Sequence, residues 1–214
     1  MELINIIFKG HRVKAGRKRA FDKEVVLDKA MRLFWANGYS GTSVANLSSE
    51  LGINTSSLYG TFVNKEQLFK DALAHYQKQY VEVNYRHLVE PSNARLKERL
   101  QACFYGLIEL FTSDETPRGC LLVKSLNESD SVAFPEDAVV YMKKLGTETQ
   151  QILTGLFASG IAKTDMPQGQ TAQKLTNYLL SVSYGLAVQA KAGQTKDELK
   201  SVLDHTLNSI FGYS

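Results

Sequence analysis

A cluster of hydrogen-bonding side chains between residues 54 and 65 is the clearest candidate for chemistry in this chain. Its members carry amide, hydroxyl or amine groups: Asn54, Thr55, Ser56, Ser57, Tyr59, Thr61 and Lys65. Serine and threonine hydroxyls can donate or accept hydrogen bonds and read base edges permissively, whereas tyrosine and lysine suit phosphate oxygens. The composition predicts binding rather than catalysis, because no nucleophile motif accompanies it.

Two short helices joined by a tight turn are predicted to position this cluster. The first runs from about Ser43 to Leu51, because apolar residues recur there at three- and four-residue spacing. Gly52 ends it, since glycine reaches a positive φ at the least cost. Thr42 is expected to cap this helix and to donate its hydroxyl or backbone N–H group to a phosphate.

The second helix, Thr55 to about Thr61, would carry the polar cluster. Asn54 precedes it as a candidate N-cap, and Leu58 is one of its apolar anchors. Gly60 lowers its helix propensity by roughly 1 kcal/mol. In a helix-turn-helix that reads DNA, the N-terminal end of such a helix reaches base edges, and this function is the one the stretch favours.

Residues from Phe21 to about Tyr76 resemble the DNA-binding domain of the tetracycline-repressor (TetR) family of bacterial transcription regulators. The matching positions follow the family's order and spacing: Ala30, Leu33, Phe34, Gly38, Tyr39, Thr42, Leu51, Gly52, Ile53, Leu58, Tyr59, Phe62, Lys65, Glu66 and Leu68. After the Leu-Tyr pair, where the family often places a histidine or another aromatic residue, this chain has Gly60 and Thr61. The resemblance implies a regulator that binds DNA as a dimer. The two subunits of this dimer would associate through their last two long helices.

The net charge of +3 conceals an uneven distribution. Residues 1–21 carry six basic side chains and one acidic one, a net charge of +5, whereas the other 193 residues sum to −2. Arg17, Lys18 and Arg19 are expected to lie along phosphates or to enter the minor groove. The residues before them, 1–16, are interpreted as a flexible basic tail.

The predicted fold class is all-α, because helical patterns and breakers run through the chain and no stretch is typical of a strand. Residues 17–80 are assigned to an N-terminal three-helix helix-turn-helix DNA-binding domain. Residues 81–214 are assigned to a C-terminal helical domain for effector binding and dimerisation. A long helix from about Asn64 past Tyr85 is expected to connect the two.

The helix predicted from Gln170 to Ala192 is apolar on more than one face, so a second surface besides its own domain must cover it. A symmetric copy is the economical choice. A homodimer through the last two helices would match a palindromic operator in double-stranded DNA.

The middle helices are expected to surround a cavity for a small-molecule effector of unknown class. Candidates for its lining are aromatic or aliphatic: Phe104, Leu107, Phe111, Leu122, Tyr141, Leu145, Phe157, Tyr178 and Tyr184. Each could instead be an ordinary core residue. The predicted function is a transcriptional repressor that leaves its operator when such an effector binds.

Chemical modification of Cys120 is an alternative to effector binding as the regulatory signal. It lies where a loop enters a helix, and both the helix N-terminus and the neighbouring Arg118 would lower the pKa of its thiol. Cys120 is therefore a candidate sensor of oxidants or electrophiles, the other interpretation being a small buried hydrophobe. With Cys103 it makes only two cysteines, too few for a disulfide framework, which favours a reducing cytoplasm.

Enzymatic, metal-binding and membrane functions are not expected. The histidines, His11, His75, His87 and His205, have no metal-ligand spacing, and no phosphate-cradling glycine loop is present. We therefore predict no catalysis, no cofactor and no metal site. No apolar run reaches the roughly 18 residues that a membrane helix needs, so a cytoplasmic location without a membrane partner is expected.

Overall fold

The computed structural model describes residues 22–159 and 170–212. Its helices are α1 (Lys23–Asn37), α2 (Val44–Leu51), α3 (Thr55–Phe62), α4 (Lys65–Tyr76), α5 (Glu82–Val89), α6 (Leu96–Thr112), α7 (Leu121–Glu128), α8 (Glu136–Ala158), α9 (Ala172–Lys191) and α10 (Lys196–Phe211). A π-helical turn, Gln77–Val81, joins α4 to α5. No strand occurs in these ranges, and the prediction of an all-α fold is confirmed.

Helices α1 to α4 form a small N-terminal head around an aromatic core. Phe34 of α1 meets Phe69 of α4 edge to face, with 4.9 Å between ring centroids. Trp35 meets Tyr76 in the same way at 4.8 Å. All four side chains are almost completely buried. Because α4 supplies half of these rings, it packs as a part of the head.

Local side-chain caps set the helix boundaries in the head. The Asn54 side chain accepts from the backbone N–H of Ser57 at 2.8 Å, and Asn64 accepts from that of Gln67 at 2.7 Å. Gly52 ends α2 with φ of 66°, which confirms the predicted left-handed stop. These caps satisfy donors that the first turn of a helix leaves unpaired.

The remaining helices form a helical body. Its centre is built from fully buried leucines of four helices: Leu100, Leu153, Leu179 and Leu203. The predicted connecting helix is confirmed, since α4, the π-helical turn and α5 follow one another without a break, and α5 packs on α6. The predicted boundary between residues 80 and 81 falls inside the π-helical turn. Across the described ranges, no helix has both the length and the apolar composition of a membrane span.

Candidate DNA interface and effector cavity

The polar cluster of α3 lies on the surface of the head. Leu58 and Phe62 are 0% and 1% exposed and hold one face of the helix against the core. The opposite face presents exposed residues: Asn54, Thr55, Ser56, Ser57 and Gly60. The side chains on this face are short and hydrophilic, so another molecule can approach the helix closely.

Hydrogen bonds at its N-terminal end hold α3 in place. Thr55 Oγ1 lies 3.1 Å from Ser48 Oγ of α2, which ties the two helices together. The Thr61 hydroxyl donates to the Ser57 carbonyl at 3.1 Å. The hydroxyls of Ser56 and Ser57 have no hydrogen-bond partner within the described ranges, so both remain available to a ligand.

Thr42 lies inside the head rather than on its surface. It is 0% exposed, and its hydroxyl donates to the Gly38 carbonyl at 2.7 Å. Ser43 caps α2, accepting from the backbone N–H of Asn46, so the prediction that Thr42 caps this helix is wrong. Thr42 instead closes the corner between α1 and α2, and its contact with a phosphate stays a prediction.

The predicted phosphate contacts near the end of α3 lie close to the surface. Tyr59 is partly buried and packs on the head's core. Lys65 Nζ lies 4.0 Å from the centroid of the Tyr39 ring, a cation–π contact. Burial lowers the pKa of Lys65, and the carboxylate of Glu128 acts in the opposite direction. Contact of these side chains with phosphates stays a prediction.

The basic arm of Arg17, Lys18 and Arg19 lies outside the described residues, so its contact with DNA also stays a prediction.

A cavity of about 260 Å³ lies within the body, between the π-helical turn, α5, α6, α7, α8 and α9. Five of the predicted lining residues do line it: Leu107, Phe111, Leu122, Leu145 and Tyr184. Further aliphatic side chains line it as well: Val81, Val123, Leu126, Val139 and Leu180. With the aromatic rings, they make this a largely apolar pocket of the kind that holds small molecules.

The other four predicted lining residues lie elsewhere. Phe104 and Phe157 are core residues, 2% and 0% exposed. Tyr178 is 44% exposed on α9. Tyr141 faces an adjacent polar groove that Glu82 also lines. Burial raises the pKa of Tyr141 to about 12, and nearby carboxylates add to this.

Sequence reasoning missed the wall that the connecting helix contributes. Gln77, Val81 and Tyr85 all line the cavity. Burial raises the pKa of the Tyr85 phenol, and the Thr149 side chain of α8 acts in the opposite direction. Helical periodicity identifies a buried face, but it does not say whether that face meets core or cavity.

The charged residue that lines the cavity is Lys143, which is exposed and lies at the rim. No carboxylate is found among the described lining residues.

Cys120 also lines the cavity, and Tyr76 donates a hydrogen bond to its Sγ at 3.4 Å. Burial raises the pKa of the thiol, although hydrogen bonds from Tyr76 and two backbone N–H groups oppose this. The Arg118 guanidinium instead donates to the carbonyls of Ala190 and Gln194, at 3.0 and 2.7 Å. The predicted lowering of the thiol pKa is therefore wrong in direction, because burial outweighs the groups that stabilise the thiolate.

Helix α7 and the loop before it join the cavity wall to the head. From α7, Lys124 Nζ donates to the Ala36 carbonyl at 2.6 Å. The backbone N–H of Ser40 donates to Glu128 Oε2 at 3.1 Å. A Cβ on Gly38 would overlap the Glu128 carboxylate in this position, so glycine lets that side chain approach the backbone closely.

Two further hydrogen bonds reach the loop from α1. Trp35 Nε1 donates to the Gly119 carbonyl at 3.2 Å, and Arg32 Nη1 donates to the Glu115 carbonyl at 2.8 Å. The segment from residue 115 to residue 128 thus holds the C-terminal half of α1 and also supplies several cavity residues.

An apolar strip remains on the outer surface of α9 and α10. Its members are 42–50% exposed: Tyr178, Tyr184, Val188 and Val202. Gly185 lies among them, and a Cβ there would meet no atom within 4 Å. Large apolar side chains around a small residue form a surface that a second helix can approach closely.

Comparison with known proteins identifies the head. The family model "Bacterial regulatory proteins, tetR family" matches residues 26–72, from α1 into α4. The uncharacterized HTH-type transcriptional regulator YezE of Bacillus subtilis is 32% identical over 203 residues, covering 91% of this chain and 99% of the relative. The HTH-type transcriptional repressor ComR of Escherichia coli is 27% identical over 194 residues, covering 90% of each chain.

A solved structure extends the similarity over the body. The TetR family transcriptional regulator CifR, in a cysteine mutant complexed with 26-bp double-strand operator DNA, is 32% identical. The TM-score is 0.78, and the match covers 90% of this chain and 99% of CifR. The chain belongs to the TetR family of bacterial transcription regulators, and it is a DNA-binding transcriptional repressor rather than an enzyme.

Proposed function

We propose that this repressor binds a palindromic operator as a homodimer and leaves it when a small apolar effector occupies the cavity of the body. The main support is the double role of the segment from residue 115 to residue 128. It supplies Cys120, Leu122 and Val123 to the cavity wall, and it is hydrogen-bonded to α1 of the head. An effector that pushes on this wall therefore acts directly on the head.

The DNA surface that we propose is the exposed face of α3 with its flanks. Base edges would be contacted by the N-terminal end of the helix: Asn54, Thr55, Ser56 and Ser57. Phosphates would be contacted by the flanking side chains and the N-terminal arm: Tyr59, Thr61, Lys65, Arg17, Lys18 and Arg19. The relative CifR, which binds double-strand operator DNA, supports this assignment at the level of the domain.

The apolar strip on α9 and α10 is the proposed dimer surface. Its side chains are 42–50% exposed within one subunit, and a two-fold copy would bury them against their own equivalents. Two heads related by this axis would meet two half-sites of a palindrome. Sedimentation of Val188→Glu, which places a charge in the strip, should show monomers where the wild type forms dimers.

The cavity points to a small effector. Its volume of about 260 Å³ is below the roughly 300–1,000 Å³ of pockets for drug-sized ligands. With Lys143 at the rim and no carboxylate among the described lining residues, we infer a neutral or singly anionic ligand with a short apolar body.

Three probes that share a linear eight-carbon chain test this ligand class: 1-octanol, octanoate and octyltrimethylammonium. The operator for these assays is a duplex that the protein selects from a random pool. We expect octanol and octanoate to raise the melting temperature and to weaken operator binding, because they stabilise the effector-bound form. Octyltrimethylammonium, with the same chain and the opposite charge, is the control and should do neither. Stabilisation without any change in operator affinity would contradict effector-driven release.

Covalent modification of Cys120 is the second candidate signal, and its position in the cavity wall is the observation that favours it. N-ethylmaleimide should then abolish operator binding of the wild type and of Cys103→Ala, but not of Cys120→Ser. Equal loss of binding in all three proteins would exclude Cys120 as the sensor.

A further inference from the structure

We propose that the π-helical turn Gln77–Val81 is the hinge through which cavity occupancy moves the head, and that Asn84 positions this hinge. The inference rests on the effector-driven release proposed above and assigns it a mechanical element. A π-helical turn inside an α-helix is rare and is frequently found at functional sites.

The turn contacts the cavity on one side and the head on the other. Gln77 and Val81 line the cavity. The Tyr80 hydroxyl accepts from Arg32 Nη2 at 2.8 Å and donates to Asp28 Oδ1 at 3.3 Å, both on α1. One helical turn therefore senses the cavity and holds the head.

The Tyr80 ring strengthens the second of these contacts. It meets the Trp35 ring edge to face at 5.7 Å and stacks on Tyr76 at 5.7 Å. Trp35 is 1% exposed in the centre of the head. A movement of Tyr80 is thus transmitted to packed aromatic rings rather than to a mobile surface side chain.

Asn84 and Gly106 stabilise the widened turn. The Tyr80 carbonyl accepts a hydrogen bond from the side-chain amide of Asn84, Nδ2, at 3.0 Å. In an α-helix this carbonyl would pair with the backbone N–H of residue 84 itself. Gly106 of α6 leaves the space for that amide, since a Cβ there would overlap Asn84 Oδ1. Two residues far apart in the chain therefore hold the turn in its wide form.

The flanks of the turn belong to different parts of the molecule. Phe69 and Leu73 of α4 are buried in the head, and Leu88 of α5 is buried in the body. Lys78 and Gln79, on the outer side of the turn, are exposed. Helices bend at π-helical turns, so pressure on Gln77 and Val81 from the cavity would change the angle between α4 and α5 and carry α3 with it.

Deleting one residue removes the hinge. A π-helical turn contains one residue more than an α-helical turn. Without Gln79 the segment can therefore form a regular α-helix, and both flanking helices keep their buried faces. Gln79→Ala is the matched control, because it alters the same exposed site and keeps the chain length. Gly146→Phe imitates a bound effector, because its phenyl ring would fill part of the cavity. Gly146 lines the cavity, and a Cβ there meets no atom within 4 Å.

Operator affinity is measured by fluorescence anisotropy on a duplex that the wild type selects from a random pool. Gly146→Phe should weaken binding by about 5- to 150-fold, the usual range of coupling between sites. The weakening should persist when Gln79→Ala is added and disappear when Gln79 is deleted. If it persists with the deletion, the hinge is overturned. If Gly146→Phe alone leaves affinity unchanged, cavity-driven release fails instead, and the hinge with it.

A second variant covers the case in which the deletion protein does not fold. Asn84→Leu removes the amide that holds the Tyr80 carbonyl, whereas Asn84→Gln retains a donor. With Leu at this position the effect of Gly146→Phe should fall below about twofold, against the 5- to 150-fold range in the wild-type background. With Gln it should be largely retained. Hydrogen exchange of amides 77–84 should be faster in Asn84→Leu than in Asn84→Gln. Equal coupling in both variants would rule out a positioning role for Asn84.

Discussion

Replacing Gly38 with alanine tests how the head is joined to the body. Gly38 has φ of 80° and ψ of 173°, a backbone region that essentially only glycine adopts. An alanine there costs about 1–3 kcal/mol in backbone strain. Its Cβ would also overlap the Glu128 carboxylate, which must then release the backbone N–H of Ser40. Loss of this exposed hydrogen bond adds about 1 kcal/mol.

Gly38→Ala should therefore lower the free energy of unfolding by about 2–4 kcal/mol in urea titrations followed by circular dichroism. Glu128→Ala separates the two contributions. In that background the hydrogen bond is already absent, so the same replacement should cost about 1–3 kcal/mol, from strain alone.

Gly60→Ala is the matched control in the same head. Gly60 lies within α3, and a Cβ there meets no atom within 4 Å. Alanine in the interior of a helix should raise the free energy of unfolding by about 0.5–1 kcal/mol. If Gly38→Ala proves as stable as the wild type, the backbone at Gly38 is not strained by alanine, and the contact with Glu128 does not contribute to stability.

Three further outcomes are expected. Leu58→Ala, which empties a 0% exposed site under α3, should cost about 2–5 kcal/mol in thermal or urea unfolding, and an unchanged melting temperature would contradict its core role. Ser56→Ala combined with Ser57→Ala should weaken operator binding in gel shifts while changing stability by less than about 0.5 kcal/mol, since both residues are exposed. Burial raises the pKa of the Cys120 thiol, so the stability that its neutral form contributes is fully present below the ordinary value of 9.0 and is lost as pH rises through the raised pKa. Unfolding measured at pH 7 and pH 10 should show this loss in the wild type and a smaller one in Cys120→Ala.

Most helix boundaries of the head could be predicted from local sequence patterns. Its caps and stops, at Asn54, Asn64 and Gly52, depend on hydrogen bonds or backbone angles within a few residues of each position. Such signals are local, so they can be recognised before the fold is known. The exposed face of α3 follows in the same way, because Leu58 and Phe62 identify the face that must be buried.

The connections between the head, the cavity and the body depend on tertiary packing and could not be predicted from the sequence. Cys120 stands at a helix N-terminus in the sequence, yet burial by distant segments reverses the predicted direction of its pKa shift. The π-helical turn depends on Asn84 and on space at Gly106, 22 positions further along the chain. Which face of a helix meets core, cavity or neighbouring domain is set by how separate elements pack, and no local pattern contains that information.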